Sequence, residues 1–180
     1  MIDLQGADGL LLVGDSERSA DLYWATGFRA PDSFTYLWTP ARSYLVIGEL
    51  EIDRARSQAR VDEVLSAAAW ARRAAARHPE DEGPDRGRRA LALGLAELGL
   101  RRLRVPAEFP LGLADFLRAT GVELQVAPTP LFPQRALKTP AEEAAIAVAM
   151  AAAEAAMAAA AEALRRAAVR GGALLLDGEP

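Results

Sequence analysis

The rhythm of apolar and polar positions changes several times along the chain, and each rhythm predicts an element. Residues 9–14 (Gly-Leu-Leu-Leu-Val-Gly) are continuously apolar, as in a strand covered on both faces. Asp15 and Ser16 break the run, and residues 19–24 predict a short helix with Leu22 and Tyr23 turned inward. Residues 26–33 read as a loop from their Gly and Pro content. Residues 34–38 (Phe-Thr-Tyr-Leu-Trp) alternate in the manner of a strand. Thr39-Pro40-Ala41-Arg42 then turns the chain, and residues 43–47 supply a partner strand, most simply in a hairpin. Val61, Val64, Leu65, Ala68 and Ala69 share one helical face, which predicts a single helix over residues 58–77. Residues 78–86 form a polar loop with two prolines.

Beyond that loop the pattern becomes regular. Residues 88–98 predict a helix, Gly99 a cap and residues 100–105 a strand. Residues 111–119, Gly121 and residues 122–127 repeat the sequence of helix, glycine and strand. This is the grammar of α/β crossovers. Residues 1–135 are thus expected to form an α/β fold, with a mixed sheet of about five strands covered by about four helices. A proline-rich connector, residues 128–134, leads out of it.

Residues 139–169 have the rhythm of one long helix. Thr139 can accept a hydrogen bond as N-cap, Pro140 sits where a missing N–H costs nothing, and Glu142 can close a capping box. Alanine then dominates. Ile146, Met150, Met157 and Leu164, with Ala153 and Ala161 keeping the spacing, draw one narrow stripe. About 30 helical residues span roughly 45 Å, longer than a small domain is wide. The stripe is therefore expected to pack on a partner or a second domain. Arg170-Gly171-Gly172 is expected to end the helix and leave the apolar residues 173–176 without a pairing segment. Turn residues Asp177-Gly178-Glu179-Pro180 close the chain, the pattern expected of a sequence cut inside a longer protein.

Composition narrows the function classes. With 51% hydrophobic and 26% charged residues the chain is globular, and its net charge of −4 argues against a general nucleic-acid binder. Arginine clusters at Arg72-Arg73, residues 86–89 and residues 101–104 read as solvated surface. The absence of cysteine fits a reducing compartment, and Met1-Ile2-Asp3 lacks a signal-peptide pattern, so a cytoplasmic location is expected. Glu154 and Glu162 interrupt the long helix, and no membrane span is expected.

Candidate chemistry is sparse. A hydrolytic triad needs a proton shuttle, and the only histidine, His78, lies in the polar segment His-Pro-Glu-Asp-Glu. That segment reads as ordinary surface, or as a loose divalent-ion site. Asp15 and Asp32 flank predicted strands, where they serve as turn formers or catalytic acids. The chain carries no G-x-S-x-G elbow, phosphate-cradling glycine loop or H-E-x-x-H motif. Its own residues point to no active site.

Two segments carry a resemblance. Tyr23-Trp24-Ala25-Thr26-Gly27-Phe28-Arg29-Ala30-Pro31-Asp32, followed by the strand at residues 34–38, resembles a segment of the creatinase/prolidase N-terminal domain, most closely the aminopeptidase P version. Trp24 and Ala25 depart from the usual Tyr-Leu or Phe-Leu. Arg135-Ala136-Leu137-Lys138-Thr139-Pro140-Ala141-Glu142-Glu143 resembles the junction into that family's pita-bread catalytic domain. The resemblance implies a ribonuclease-H-like N-terminal domain over residues 1–135, then a linker and the first long helix of a missing catalytic domain over residues 136–180. It implies a homodimer that is part of a metal-dependent Xaa-Pro aminopeptidase or dipeptidase acting on peptides with proline in second position. The two Mn-type ions would sit in the catalytic domain, none in this chain, which alone would be inactive. The loop Phe28, Arg29, Asp32 would lie near the partner subunit's active-site mouth and gate it. The alternative is a free-standing dimerisation or peptide-binding module without peptidase activity.

Overall fold

Strand β1 (Gly9–Gly14) lies inside a six-stranded sheet and is buried from both sides, as its unbroken apolar sequence predicts. In the computed structural model, which describes residues 4–176, the strand order is β4 (Glu63–Ser66), β3 (Ser43–Ile47), β2 (Phe34–Trp38), β1, β5 (Arg102–Val105) and β6 (Glu123–Val126). Met1-Ile2-Asp3 and the expected closing turn at Asp177-Gly178-Glu179-Pro180 lie outside the described residues. Strand β2 (Phe34–Trp38) pairs antiparallel with β1 on one side and with β3 (Ser43–Ile47) on the other, the predicted hairpin. Strands β4 (Glu63–Ser66), β5 (Arg102–Val105) and β6 (Glu123–Val126) join in parallel, so the sheet is mixed.

Alternation along β1 feeds two cores. Leu11 points to the side where Trp70, Leu91, Leu95, Leu103 and Leu117 pack. These come from α3 (Ala67–Arg77), α4 (Gly83–Glu97), β5 and α5 (Leu111–Ala119). Leu10 and Leu12 point to the other side, against Leu22 of α1 (Ala20–Thr26), Ile52 and Ala55 of α2 (Ile52–Gln58), Phe28 and Phe132. Helices α3 and α4 approach closely at Gly94, where a Cβ would come within 2.3 Å of the Trp70 ring.

The sixth strand is one the sequence reading placed in a helix. Residues 58–77 do not form one helix; they hold the end of α2, a link, β4 and α3. Val61, Val64 and Leu65 imitate helical spacing, but Ser66 caps α3 by accepting a hydrogen bond from the Ala69 N–H, which fixes the helix start there. Tyr23 also differs from expectation, being 49% exposed while Leu22 is buried. Helix α4 begins at Gly83, inside the segment expected to be loop.

The chain divides into two compact units, Met1–Pro133 and Gln134–Pro180. A 3₁₀ turn (Pro133–Ala136) spans the division, and the second unit continues into α6 (Pro140–Arg166). The capping box is complete: the Glu142 N–H donates to Thr139 Oγ1 at 3.3 Å, and the Thr139 N–H donates to the Glu142 carboxylate at 2.8 Å. None of the 27 residues of α6 is buried. By length and composition alone α6 could also cross a bilayer, with mean hydropathy 1.8 over an 18-residue window; alanine supplies most of that value.

The apolar run after α6 is not left unpaired. β7 (Ala168–Arg170) pairs antiparallel with β8 (Ala173–Leu175) across Gly171 and Gly172. Both glycines take positive φ, 58° and 80°, as a two-residue hairpin turn requires.

Candidate functional site: the loop after α1

The loop over residues 27–33 is built from α1 outward. Ser19 starts α1 by accepting from the Leu22 N–H at 3.2 Å. The helix stops at Gly27, whose φ of 61° is open to glycine without strain and whose N–H donates to the Tyr23 carbonyl at 2.7 Å. Buried Thr26 donates its hydroxyl to the Leu22 carbonyl at 2.7 Å and accepts from the Phe28 N–H at 3.1 Å. This turns the chain so that side chains alternate in burial. Phe28 and Ala30 are fully buried, whereas Arg29, Pro31, Asp32 and Ser33 are exposed.

Each buried residue is held from several directions. The Phe28 ring meets Phe34 edge-on at 6.1 Å and carries the Arg54 guanidinium 4.2 Å from its centroid. The Ala30 N–H donates to Ser16 Oγ at 2.8 Å, and the Ser16 N–H donates back to the Ala30 carbonyl. Arg60 covers Gly27, where a Cβ would lie 2.5 Å from Nε, and donates to the Trp24 carbonyl at 3.0 Å. On this base Arg29 stands outward and pairs loosely with Glu17 at 3.7 Å. Asp32 is exposed, three residues further on. The loop thus carries an exposed cation, Arg29, and an exposed anion, Asp32. Phe28 serves it from beneath, buried, and is not available to a ligand.

Beside the end of this loop a cavity of about 350 Å³ begins at Ser33 and Phe34 and runs between Gly48, Ala67, Trp70 and Leu91. Its walls are mostly apolar and offer no proton shuttle. Sequence reasoning missed it, because it is assembled from four separate segments.

The other candidates resolve into structural roles. Asp15 accepts from the Arg18 N–H at 2.9 Å, a turn-forming bond. His78 Nδ1 lies 3.2 Å from Glu80, whose carboxyl its own backbone N–H and His78 hold below the usual range. Asp81 pairs instead with Arg89 at 2.8 Å. The acids of the His78 segment therefore do not converge. Among the described residues no group of three or more His, Cys, Asp or Glu could hold a metal ion, so the residues present do not fit a dinuclear centre.

Neither a family model nor a curated protein sequence matches the chain. Solved structures do. The prolidase from Pyrococcus horikoshii OT3 superposes with a TM-score of 0.64 at 18% identity, over 88% of this chain and 39% of that one. The X-Pro aminopeptidase from Thermotoga maritima MSB8 gives 0.57 at 15% identity, over 76% and 35%. A proline dipeptidase from Streptococcus pneumoniae TIGR4 gives 0.51 at 15% identity, over 74% and 90%. The chain thus spans well under half the length of the first two. At these identities the likeness defines the fold: an α/β domain shared with solved prolidases and X-Pro aminopeptidases. More particularly, it is the creatinase-type arrangement, a helix-covered mixed sheet followed by a long helix.

Proposed function

We propose that residues 1–135 are the non-catalytic N-terminal domain of a metal-dependent Xaa-Pro aminopeptidase or dipeptidase, joined through residues 136–180 to a catalytic domain. The observation that carries this reading is the shared fold with the Pyrococcus horikoshii prolidase, reached independently of the two resembling segments. In this reading the domain supports a cytoplasmic homodimer working in water, without nucleic acid or membrane, and gates the partner's active site through residues 27–33. A rigid base presenting Arg29 and Asp32 suits that task, because a short peptide with proline second has one charged group at each end. The two divalent ions of such an enzyme would bind outside this chain.

The test has three arms. The 180-residue chain supplied with Mn²⁺ leaves Ala-Pro and longer Xaa-Pro peptides intact. The reading frame after the Pro180 codon encodes two aspartates, a histidine and two glutamates in metal-ligand spacing. In the enzyme so encoded, Arg29→Ala and Asp32→Ala raise KM several-fold, on the order of one exposed charge contact each, with kcat nearly unchanged. Hydrolysis by the 180-residue chain would overturn the non-catalytic assignment. A second reading is a free-standing dimerisation or peptide-binding module, for which the exposed apolar side chains of α6 offer a face. A stop codon directly after Pro180 would decide for it.

A further inference from the structure

We propose that the cavity between α3, α4 and the sheet binds a small uncharged aromatic molecule of two fused rings that carries one hydroxyl or carbonyl group. The inference does not rest on the peptidase reading, because every wall belongs to residues 33–91 of the first unit. Strands β1, β3, β4, β5 and β6 point one way and β2 the other. The cavity lies at the carboxyl end of β3, the side on which open α/β sheets receive ligands. Its floor is the cross-strand pair Thr35 and Val46. Val46 belongs, with Leu37 two residues beyond Thr35, to the core under α3 and α4. Its roof is Ala67, Ala71, Gly87 and Ala90, beside Trp70. The space exists because both helices present a methyl group or a hydrogen where a larger side chain would reach the sheet. A Cβ at Gly87 would meet nothing within 4 Å.

Size and polarity define the occupant. An engineered apolar cavity of about 150 Å³ takes up benzene. The volume here, about 350 Å³, is more than twice that, so two fused rings fit where one would be loose. The Trp70 wall suits an aromatic body. Among the described residues no charged side chain lines the space, so a cation would lose its water with no carboxylate inside to receive it. Glu49 follows the lining residue Gly48 and accepts from the Ser66 hydroxyl, next to Ala67; a carboxylate at that edge disfavours an anion. Ser33 at the rim is exposed, which leaves Thr35 as the polar group of the floor. Among the described residues the Thr35 hydroxyl has no hydrogen-bond partner in the protein, and it can donate to or accept from one ligand group. A mostly apolar lining with one placed polar group is how small-molecule sites are built.

The test titrates the 180-residue chain with 2-naphthol, naphthalene and naphthalene-2-sulfonate, and reads binding by ligand fluorescence. 2-Naphthol binds saturably at a single site. Naphthalene binds about three- to ten-fold more weakly for lack of one hydrogen bond, and the sulfonate does not bind. Thr35→Val brings 2-naphthol down to the affinity of naphthalene and leaves naphthalene unchanged. Gly87→Leu fills the space and abolishes binding of both, with an unfolding midpoint at or above the parent's, since leucine is the better helix former. Ala71→Leu fills the same space from α3 and gives the same loss should Gly87→Leu fail to fold. The absence of saturable 2-naphthol binding up to its solubility limit would overturn the proposal. So would binding that survives a folded filling variant, equal affinity for the sulfonate, or a Thr35→Val chain that still prefers 2-naphthol.

Discussion

Asp8 shows how one side chain fastens two distant segments. Its carboxylate accepts from the backbone N–H groups of Arg101 and Arg102 at 2.9 and 2.8 Å, and those bonds, chiefly the one from Arg102, hold its pKa below the usual range. A carboxyl whose folded pKa is depressed contributes in full above its unfolded pKa, and that contribution disappears as pH falls through the folded value. Asp8→Asn is therefore expected to lower stability by about 1–2 kcal/mol at neutral pH. In urea unfolding the gap between variant and parent should narrow steadily toward acid. A pH-independent gap would mean that packing rather than charge is lost. Nothing in the sequence pattern marked this residue, because its partners are backbone groups more than ninety positions away. Gly94 was equally silent, since its need for no side chain is set by Trp70 on a different helix. Residues 26–33, by contrast, were legible as a loop from their Gly and Pro content, and Gly27 ends α1 there with a positive φ.

Among elements, those with strong local signals were readable and those fixed by tertiary pairing were not. The cap of α6 is local in every part, and the structure contains all of it. Thr139→Ala removes the acceptor for the Glu142 N–H and should weaken α6 by about 1 kcal/mol. Loss of ellipticity on heating should then begin earlier, and an unchanged helical signal would place the helix start elsewhere. Helix α5 was likewise read correctly from end to end. The β4 strand was missed because its burial depends on lying beside β3, and Val61, Val64 and Leu65 fit a helical stripe as well as a strand. Helix α2 buries only Ile52 and Ala55, too little apolar pattern to detect. The β7–β8 hairpin had a usable signal in Gly171-Gly172, but the preceding helix was drawn too long to leave room for β7.

At the scale of the whole molecule, the boundary between the two compact units falls after Pro133. Lys138, the only lysine, lies just past it and is exposed. Endoproteinase Lys-C under native conditions should therefore cut once and release residues 1–138. All six strands of the main sheet and both cores lie within that fragment. Its thermal unfolding midpoint should match the main transition of the intact chain. A fragment that aggregates or melts far lower would show that α6 contributes to the first unit's stability. The fold class followed from alternating rhythm alone, whereas the cavity at Ser33 and Trp70 arises only where four segments meet.

The lock that Arg60 places over Gly27 bears on how the loop after α1 could recognise anything. With Thr26, Phe28 and Ala30 already immobilised, the backbone there has little freedom left to surrender when a ligand arrives. Binding would quench only the rotamers of Arg29 and Asp32, about 0.5–1.5 kcal/mol per side chain, and not the larger entropy of a flap that must first be ordered. Such a preorganised rim would discriminate by fit and would not mould itself to a guest.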